Sequence, residues 1–279
     1  MNKKFDLKYN LENLAKKYET ESFIKDDPIQ FPHRFKIPRL CETLGCKFNN
    51  EIPPKQSLSN LYDIEIAAFI SSLMAYGNRK VFVKKLDELF KIMQNKPYEF
   101  VLNFNPESLK NFNYRFAKDI DFIEVFNILN KLYKENSGLK KLFKHGYQLN
   151  KNTLTMMQVV ADYFYTNVSN KAGQGFYHLI PNPKNGGAMK RMNMFLRWMV
   201  RKGPVDLGVW DFIPEYELLI PLDVHVARIS REMGLLKRSS NDFKAVLELS
   251  NNLKQINPKD PIKFDFAMFG LGIETSNTR

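Results

Sequence analysis

Apolar residues recur at helical spacing along nearly the whole chain, and runs that alternate apolar with polar are scarce, so the pattern predicts an all-α protein. A first helix is expected over 6–23, with Leu7, Leu11, Leu14, Ala15 and Tyr18 as its apolar stripe. Pro28, Pro32 and Pro38 then punctuate a connector, and Pro53 and Pro54 break the chain again. From 61 runs a very apolar helix, YDIEIAAFISSLMAYG, expected to be buried and to end at Gly77, because glycine takes the left-handed conformation past a last turn without steric cost. Further helices are predicted over 80–94, 119–135, 153–166, 188–202, 223–233, 240–256 and 261–269. The chain shows no internal repeat and no low-complexity tract.

Composition narrows the function classes. A chain of 279 residues can bury its own core without staples. Cys41 and Cys46 stand alone, which excludes a cysteine-ligated iron-sulfur cluster and a disulfide framework. His33, His145, His178 and His225 are widely separated, so neither a metal site nor a cofactor is expected. The opening MNKKFDLKYN has no apolar core, and no run approaches the roughly 18 apolar residues of a membrane span, so a soluble, cytoplasmic chain is expected.

Charge adds a partner. Lys and Arg number 42 against 30 acids, a net +12, which favours a polyanion, although a lysine-rich surface alone has the same balance. Its distribution is more telling. An even scatter of 30 acids over 279 residues would put about four or five between Tyr163 and Val205, yet that stretch has none. It does contain Lys171, Lys184, Lys190, Arg191, Arg197, Arg201 and Lys202, the composition of a phosphate-facing segment.

Within it lies HLIPNPKNGGAMKRMNMFLRWMVRK. Pro181, Pro183, Asn185, Gly186 and Gly187 demand a turn, and the amphipathic pattern after it starts a helix near Ala188. A glycine turn at a helix N-terminus presents free backbone N–H groups and the positive end of the dipole, which together suit an anion; an ordinary connection between helices has the same residues. Lys190 sits in that first turn, where the dipole opposes a cation. It is either a solvated surface lysine touching phosphate or a candidate nucleophile.

The second constellation is IPLDVHVARISREMGLL. Asp223 stands where an N-cap belongs, and capping alone accounts for an aspartate there. His225 is a third polar group beside it, although a lone histidine near a helix start is more often packed.

Together the two segments resemble the helix-hairpin-helix DNA glycosylase superfamily, which includes endonuclease III and the 8-oxoguanine glycosylases. The residues carrying the likeness are Gly186-Gly187-Ala188-Met189-Lys190 and Ile220-Pro221-Leu222-Asp223-Val224-His225-Val226, with fainter matches in IAAFISSLMAYGNRK and FDFAMFGLGI. The spacing of 33 from Lys190 to Asp223 is similar to that of the archaeal 8-oxoguanine glycosylase branch. Ala188 departs from the hairpin's usual second glycine. The chain also resembles an uncharacterised conserved bacterial family.

The resemblance implies two helical domains with a cleft between them: a six-helix domain over 61–202 ending in the hairpin, and a second domain built from 1–60 and 203–279. Lys190 would project from the first and Asp223 from the second, as the catalytic pair, across a groove lined by Arg197, Arg201 and Arg228. Gly186, Gly187, Ala188, Arg191, Arg197 and Arg201 would hold DNA phosphates; His225, Arg228 and Tyr76 would line the site. Phe69, Trp198 and Trp210 are further candidates for a base pocket, although aromatic residues at helical spacing are core more often than pocket. The implied activity is excision of an oxidised purine, 8-oxoguanine first, from double-stranded DNA by a monomeric, nucleoid-associated enzyme with associated abasic-site lyase activity. The alternatives are a non-catalytic hairpin DNA-binding protein and a glycosylase for another lesion.

Overall fold

The computed structural model describes residues 3–36, 54–135 and 138–277. Cys41, Cys46, Pro38 and Pro53 lie outside the described residues. About 68% of the structure is helical and the described residues contain no strand, so the protein is all-α. In chain order the described α-helices are α1 (Lys3–Tyr18), α2 (Glu21–Ile24), α3 (Gln30–His33), α4 (Pro54–Met74), α5 (Arg79–Ile92), α6 (Pro97–Leu102), α7 (Asp119–Lys134), α8 (Gly138–Asn150), α9 (Thr153–Asn167), α10 (Gln174–Leu179), α11 (Lys190–Val200), α12 (Val224–Glu232), α13 (Phe243–Ile256) and α14 (Asp265–Asn277).

Most expected helices form near their predicted limits, and the differences have local causes. The helix expected over 6–23 is cut after Tyr18, because the Thr20 side chain accepts the Phe23 N–H and starts α2. The helix expected from 61 to Gly77 runs from Pro54 to Met74, and Gly77, three residues beyond its end, takes φ +83°. α8 was not expected at all. Its apolar positions, Leu139, Phe143 and Tyr147, recur every fourth residue but lie among lysines, and Gly146 breaks the stripe; a Cβ at Gly146 would come within 3.0 Å of the Met156 backbone. The last segment, expected over 261–269, is a 3-10 turn (Pro261–Phe264) that leads into the longer α14.

Contacts divide the chain into two compact units: Met1–Lys25 with Phe143–Tyr163 and Pro181–Arg279, and Asp26–Leu142 with Phe164–Ile180. These limits differ from 61–202 and 1–60 plus 203–279, because 181–202 packs with the residues that follow it.

The first unit is held at two places. Phe143, Phe195 and Trp210 form an aromatic core with ring centroids 5.2–5.3 Å apart. The loop after α11 folds back on it, with Leu207 and Trp210 donating backbone N–H bonds to the Trp198 and Met199 carbonyls at 2.8 and 2.7 Å. The other place is a buried ion network. Arg197 of α11 and Arg201, its C-cap, are 1% and 2% exposed and meet four carboxylates. Arg197 pairs with Glu19 (3.3 Å), Asp206 (3.3 Å) and Asp265; Arg201 pairs with Glu19, Asp206 (2.7 Å) and Asp260 (2.8 Å). The same unit packs α1 against α14, where Gly270 leaves room for the Tyr18 ring and Lys17 pairs with Glu274 at 2.9 Å.

The second unit is built on α4, whose residues Ile64 to Met74 are buried. Phe69 packs on Phe164 at 5.6 Å, and Phe31 stacks on Phe90 at 5.0 Å. Glu65, 3% exposed, accepts the Tyr133 hydroxyl at 3.0 Å. Two further buried carboxylates of α7 clamp the segment before α10: Asp121 accepts the Gly173 N–H (2.7 Å), and Glu124 accepts the Ser169 N–H (2.9 Å) and hydroxyl (2.8 Å).

Removing one partner of a buried charge network strands the others without water. Arg201→Ala is therefore expected to lower unfolding free energy by about 3–5 kcal/mol. Lys184→Ala, at a 69% exposed side chain, should change it by no more than about 0.5 kcal/mol. Urea denaturation of both variants checks the contrast.

Candidate functional site

The hairpin is built as its residues require. Asn182 caps a 3-10 turn (Pro183–Asn185), and Gly186 closes it at φ +71°, a conformation that favours glycine. The next left-handed residue is Met189, φ +50°, directly before α11; Ala188 is not among the positive-φ residues, so the departure from a second glycine requires no strained alanine. The Asn193 side chain donates to the Ala188 carbonyl at 3.2 Å and holds the turn on the first helical turn. On the other side the hairpin is pinned to the start of α13, where Phe243 donates its N–H to the Gly186 carbonyl at 2.8 Å and Gly187 bridges to Asp242.

What the hairpin leaves open is its outer backbone. Gly186 and Gly187 are exposed, and a Cβ built on either meets no atom within 4 Å. The N-cap residue, Met189, makes no side-chain cap hydrogen bond to α11. Lys190 and Arg191 occupy that first turn, both half-buried, and Lys190 has no ion pair or hydrogen bond among the described residues.

Asp223 caps α12, its Oδ1 accepting the Val226 N–H at 2.8 Å. Its second carboxylate oxygen has no hydrogen-bond partner among the described residues, and the side chain is half-buried. Both Lys190 and Asp223 fall within the first unit. Seven residues on from Lys190, Arg197 shares its helix face about 10 Å along the axis. Arg197 binds Asp265, the first residue of α14, and Asp265 feels the charge of Asp223.

That leaves Asp265 in an unusual position. Burial pushes its carboxyl up to about 6, against the pull of the Arg197 guanidinium and with the help of the Asp223 and Asp206 charges. Four acids for two guanidiniums leave an excess of negative charge in a dry site, and a proton on Asp265 relieves it.

Burial corrects the roles expected of Arg197, Arg201, Phe69, Trp198 and Trp210. Arg197 and Arg201 do not face phosphate; both are sealed in the ion network with their donors turned to carboxylates. Phe69, Trp198 and Trp210 are 0–1% exposed and belong to the cores. Arg228 anchors α12 to α14: its guanidinium donates to the Gly272 carbonyl and the Thr275 hydroxyl, both at 2.8 Å, and pairs with Glu232 at 3.0 Å. His225 packs its backbone and Cβ against Gly272, where an added Cβ would come within 2.7 Å, and its ring lies edge-on to Phe269 at 6.0 Å. Tyr76 belongs to the second unit. Asp265 and Asn193 were not singled out from sequence. A signal existed: Asn193, Arg197 and Arg201 are four apart in a helix otherwise apolar from Met192 to Val200, a polar stripe that buried packing must satisfy.

Comparison with protein families gives one match, over residues 52–274, to a family described as a protein of unknown function, DUF2400. The chain belongs to the DUF2400 family. No curated protein and no solved structure matches it. In this DUF2400 protein the matched span takes in the hairpin, Lys190, Asp223 and Asp265. Among the described residues no group of three or more His, Cys, Asp or Glu is placed to hold a metal ion, and no helix is long and apolar enough to cross a membrane.

The Asp265 proton has a measurable consequence. The folded chain holds it at pH values where the unfolded chain, near the ordinary value of about 4, has released it, so this carboxyl's contribution to stability is present at low pH and lost as pH rises from about 4 to about 6. Asp265→Asn stays neutral throughout. Its stability relative to the parent should rise across that window by up to about 3 kcal/mol, two pKa units' worth. A difference that stays flat in urea denaturation from pH 4 to pH 7 would refute the assignment.

Proposed function

We propose that this protein is a DNA glycosylase with an associated abasic-site lyase activity, acting on an oxidised purine, 8-oxoguanine first, in double-stranded DNA during base excision repair. The observation that carries it is an unpaired, half-buried Lys190 at the uncapped start of α11, directly after an exposed glycine turn. Aspartate at the start of α12, with one oxygen uncommitted, supplies the second group.

The chemistry follows from those groups. DNA phosphate settles on the exposed Gly186 and Gly187 backbone and the first-turn N–H groups of α11, aided by Arg191. Breaking a glycosidic bond builds positive charge on the sugar, which a fixed carboxylate at Asp223 stabilises electrostatically. Asp223 takes a proton from the Lys190 ammonium and hands it to the departing base, which leaves with the bond's electron pair as the neutral amine attacks C1′, so that Asp223 is again a carboxylate beside the cationic adduct. Opening of the sugar ring gives a Schiff base between Nζ and C1′. Loss of a C2′ proton then expels the 3′ phosphate, and water hydrolyses the imine to return the lysine. No external cofactor is needed for any step. The enzyme works as a monomer on a flipped nucleotide.

Sodium borohydride trapping on duplexes containing 8-oxoguanine or an abasic site is the direct test. Wild type should form a covalent adduct that Lys190→Gln abolishes and Asp223→Asn reduces by at least about tenfold. Absence of any adduct while duplex binding persists would turn the reading to a non-catalytic hairpin DNA-binding protein. Gly187→Ala gives a separate check on the phosphate grip. With open space at its Cβ it should leave stability within about 0.5 kcal/mol yet weaken duplex binding measured by anisotropy.

A further inference from the structure

An exposed aromatic cluster in the second unit is held with more structure than a surface turn requires. Tyr76 follows α4, and the turn 114–117 comes to meet it. Tyr76 donates its hydroxyl to the Tyr114 carbonyl at 3.2 Å, Tyr114 donates its own to the Tyr76 carbonyl, and the rings lie 4.8 Å apart. Tyr114 and Ala117 close the turn with two backbone hydrogen bonds of 2.9 and 3.0 Å. Arg115 is left-handed, φ +52°, a strained conformation that the surrounding contacts hold. Its guanidinium lies so close to Gly77 that a Cβ there would come within 2.5 Å of Nη1.

The product of this construction is Phe116, 62% exposed. Its ring is parallel to Tyr76 within 7°, centroids 6.5 Å apart. His178 of α10 stands edge-on to both, at 4.6 and 5.2 Å, and the Arg115 guanidinium lies 6.0 and 5.5 Å from the two ring centres. α10 is locked beneath: Gly175 has no room for a Cβ, which would come within 2.7 Å of the Phe116 carbonyl. Two parallel rings of fixed orientation, one of them mostly bare, form a platform for a planar π-system.

The surrounding charge selects the occupant. The three segments that meet here, 76–80, 113–118 and 171–178, contain no Asp or Glu. Lys80, Arg115, Lys118 and Lys171 are all exposed in them. Of the two carboxylates that follow the turn, Asp121 is 1% exposed and occupied by the Lys118 and Gly173 N–H groups, and half-buried Asp119 accepts the Asn111 N–H at 2.9 Å. A ligand with flat rings at intervals along a negative backbone meets both requirements; an acidic peptide or a membrane surface meets only the second.

We infer that Phe116 and Tyr76, with Arg115, form a stacking platform for the unstacked bases of single-stranded DNA. This site is independent of the Lys190 chemistry. Stacking on an aromatic face tolerates any base and is worth about 1–3 kcal/mol per base, while the lysines and Arg115 supply the salt-dependent hold on phosphate.

The test compares two fluorescent oligonucleotides of equal length and charge in anisotropy titrations: oligothymidylate, and an oligomer of abasic nucleotides. Wild type should bind the thymidylate more tightly. Phe116→Ala should lose about five- to a hundred-fold for thymidylate, keep its affinity for the abasic oligomer, and keep the salt slope. Its exposed position makes its thermal midpoint a fair control for folding. Phe116→Trp should restore binding and show emission quenched on adding thymidylate. Equal wild-type affinity for the two oligomers, or thymidylate binding unchanged in Phe116→Ala, would overturn the platform. Loss of borohydride trapping with this base-dependent binding intact would defeat the glycosylase reading alone.

Discussion

The first unit depends on one interaction, the pairing of Arg197 and Arg201 with Glu19, Asp206, Asp260 and Asp265. Its members come from the end of α1, the loop after α11 and the approach to α14, so no local folding step can complete it. Stripping water from six charged groups costs more than most single contacts return, and only close pairing with good hydrogen bonds makes such a site tolerable. The residue after α1 and the start of α14 are thereby fixed to α11, the helix that carries Lys190. The same constraint reaches Asp265, where burial and the neighbouring Asp223 and Asp206 charges favour the protonated carboxyl against the pull of Arg197.

Around that anchor the hairpin is rigid where it must hold and bare where it must touch. Asn193, Phe243 and Asp242 fasten the turn from within, while the outer faces of Gly186 and Gly187 meet nothing. Backbone N–H groups presented without a cap are a standing demand for an acceptor, and an anion meets it at little reorganisation. Asp223 caps α12 with one oxygen, which fixes the side chain, and its other oxygen has no hydrogen-bond partner among the described residues.

Phe116 and Arg115 illustrate a different economy. A strained arginine and a bare phenylalanine are both unfavourable by themselves, and they persist because the Tyr76–Tyr114 pair, Gly77 and Gly175 over-determine the turn. The helices that bring these residues together are far apart in sequence, and the turn's own composition, NYRFAK, resembles many surface turns.

Helical periodicity determined the all-α class and the place of most long helices, because a buried stripe at period 3.6 is a local property that packing anywhere will use. The glycine turn before α11 and the Asp223 cap were equally legible, since turn and cap preferences are set by the conformations of the residues themselves. α8 was hidden by its lysines and Gly146, a glycine whose reason lies in the Met156 backbone ten residues on. The basic stretch from Tyr163 to Val205 could be counted but not oriented. Which of its cations face solvent is decided by acids 178 and 182 residues away at Glu19, and by Asp260 and Asp265. Thus Lys190 and Arg197, on one face of one helix, part company: one is left unpaired and the other is sealed in an ion network. Period and propensity are written in neighbouring residues, whereas the partner of a charge is chosen only when distant segments meet.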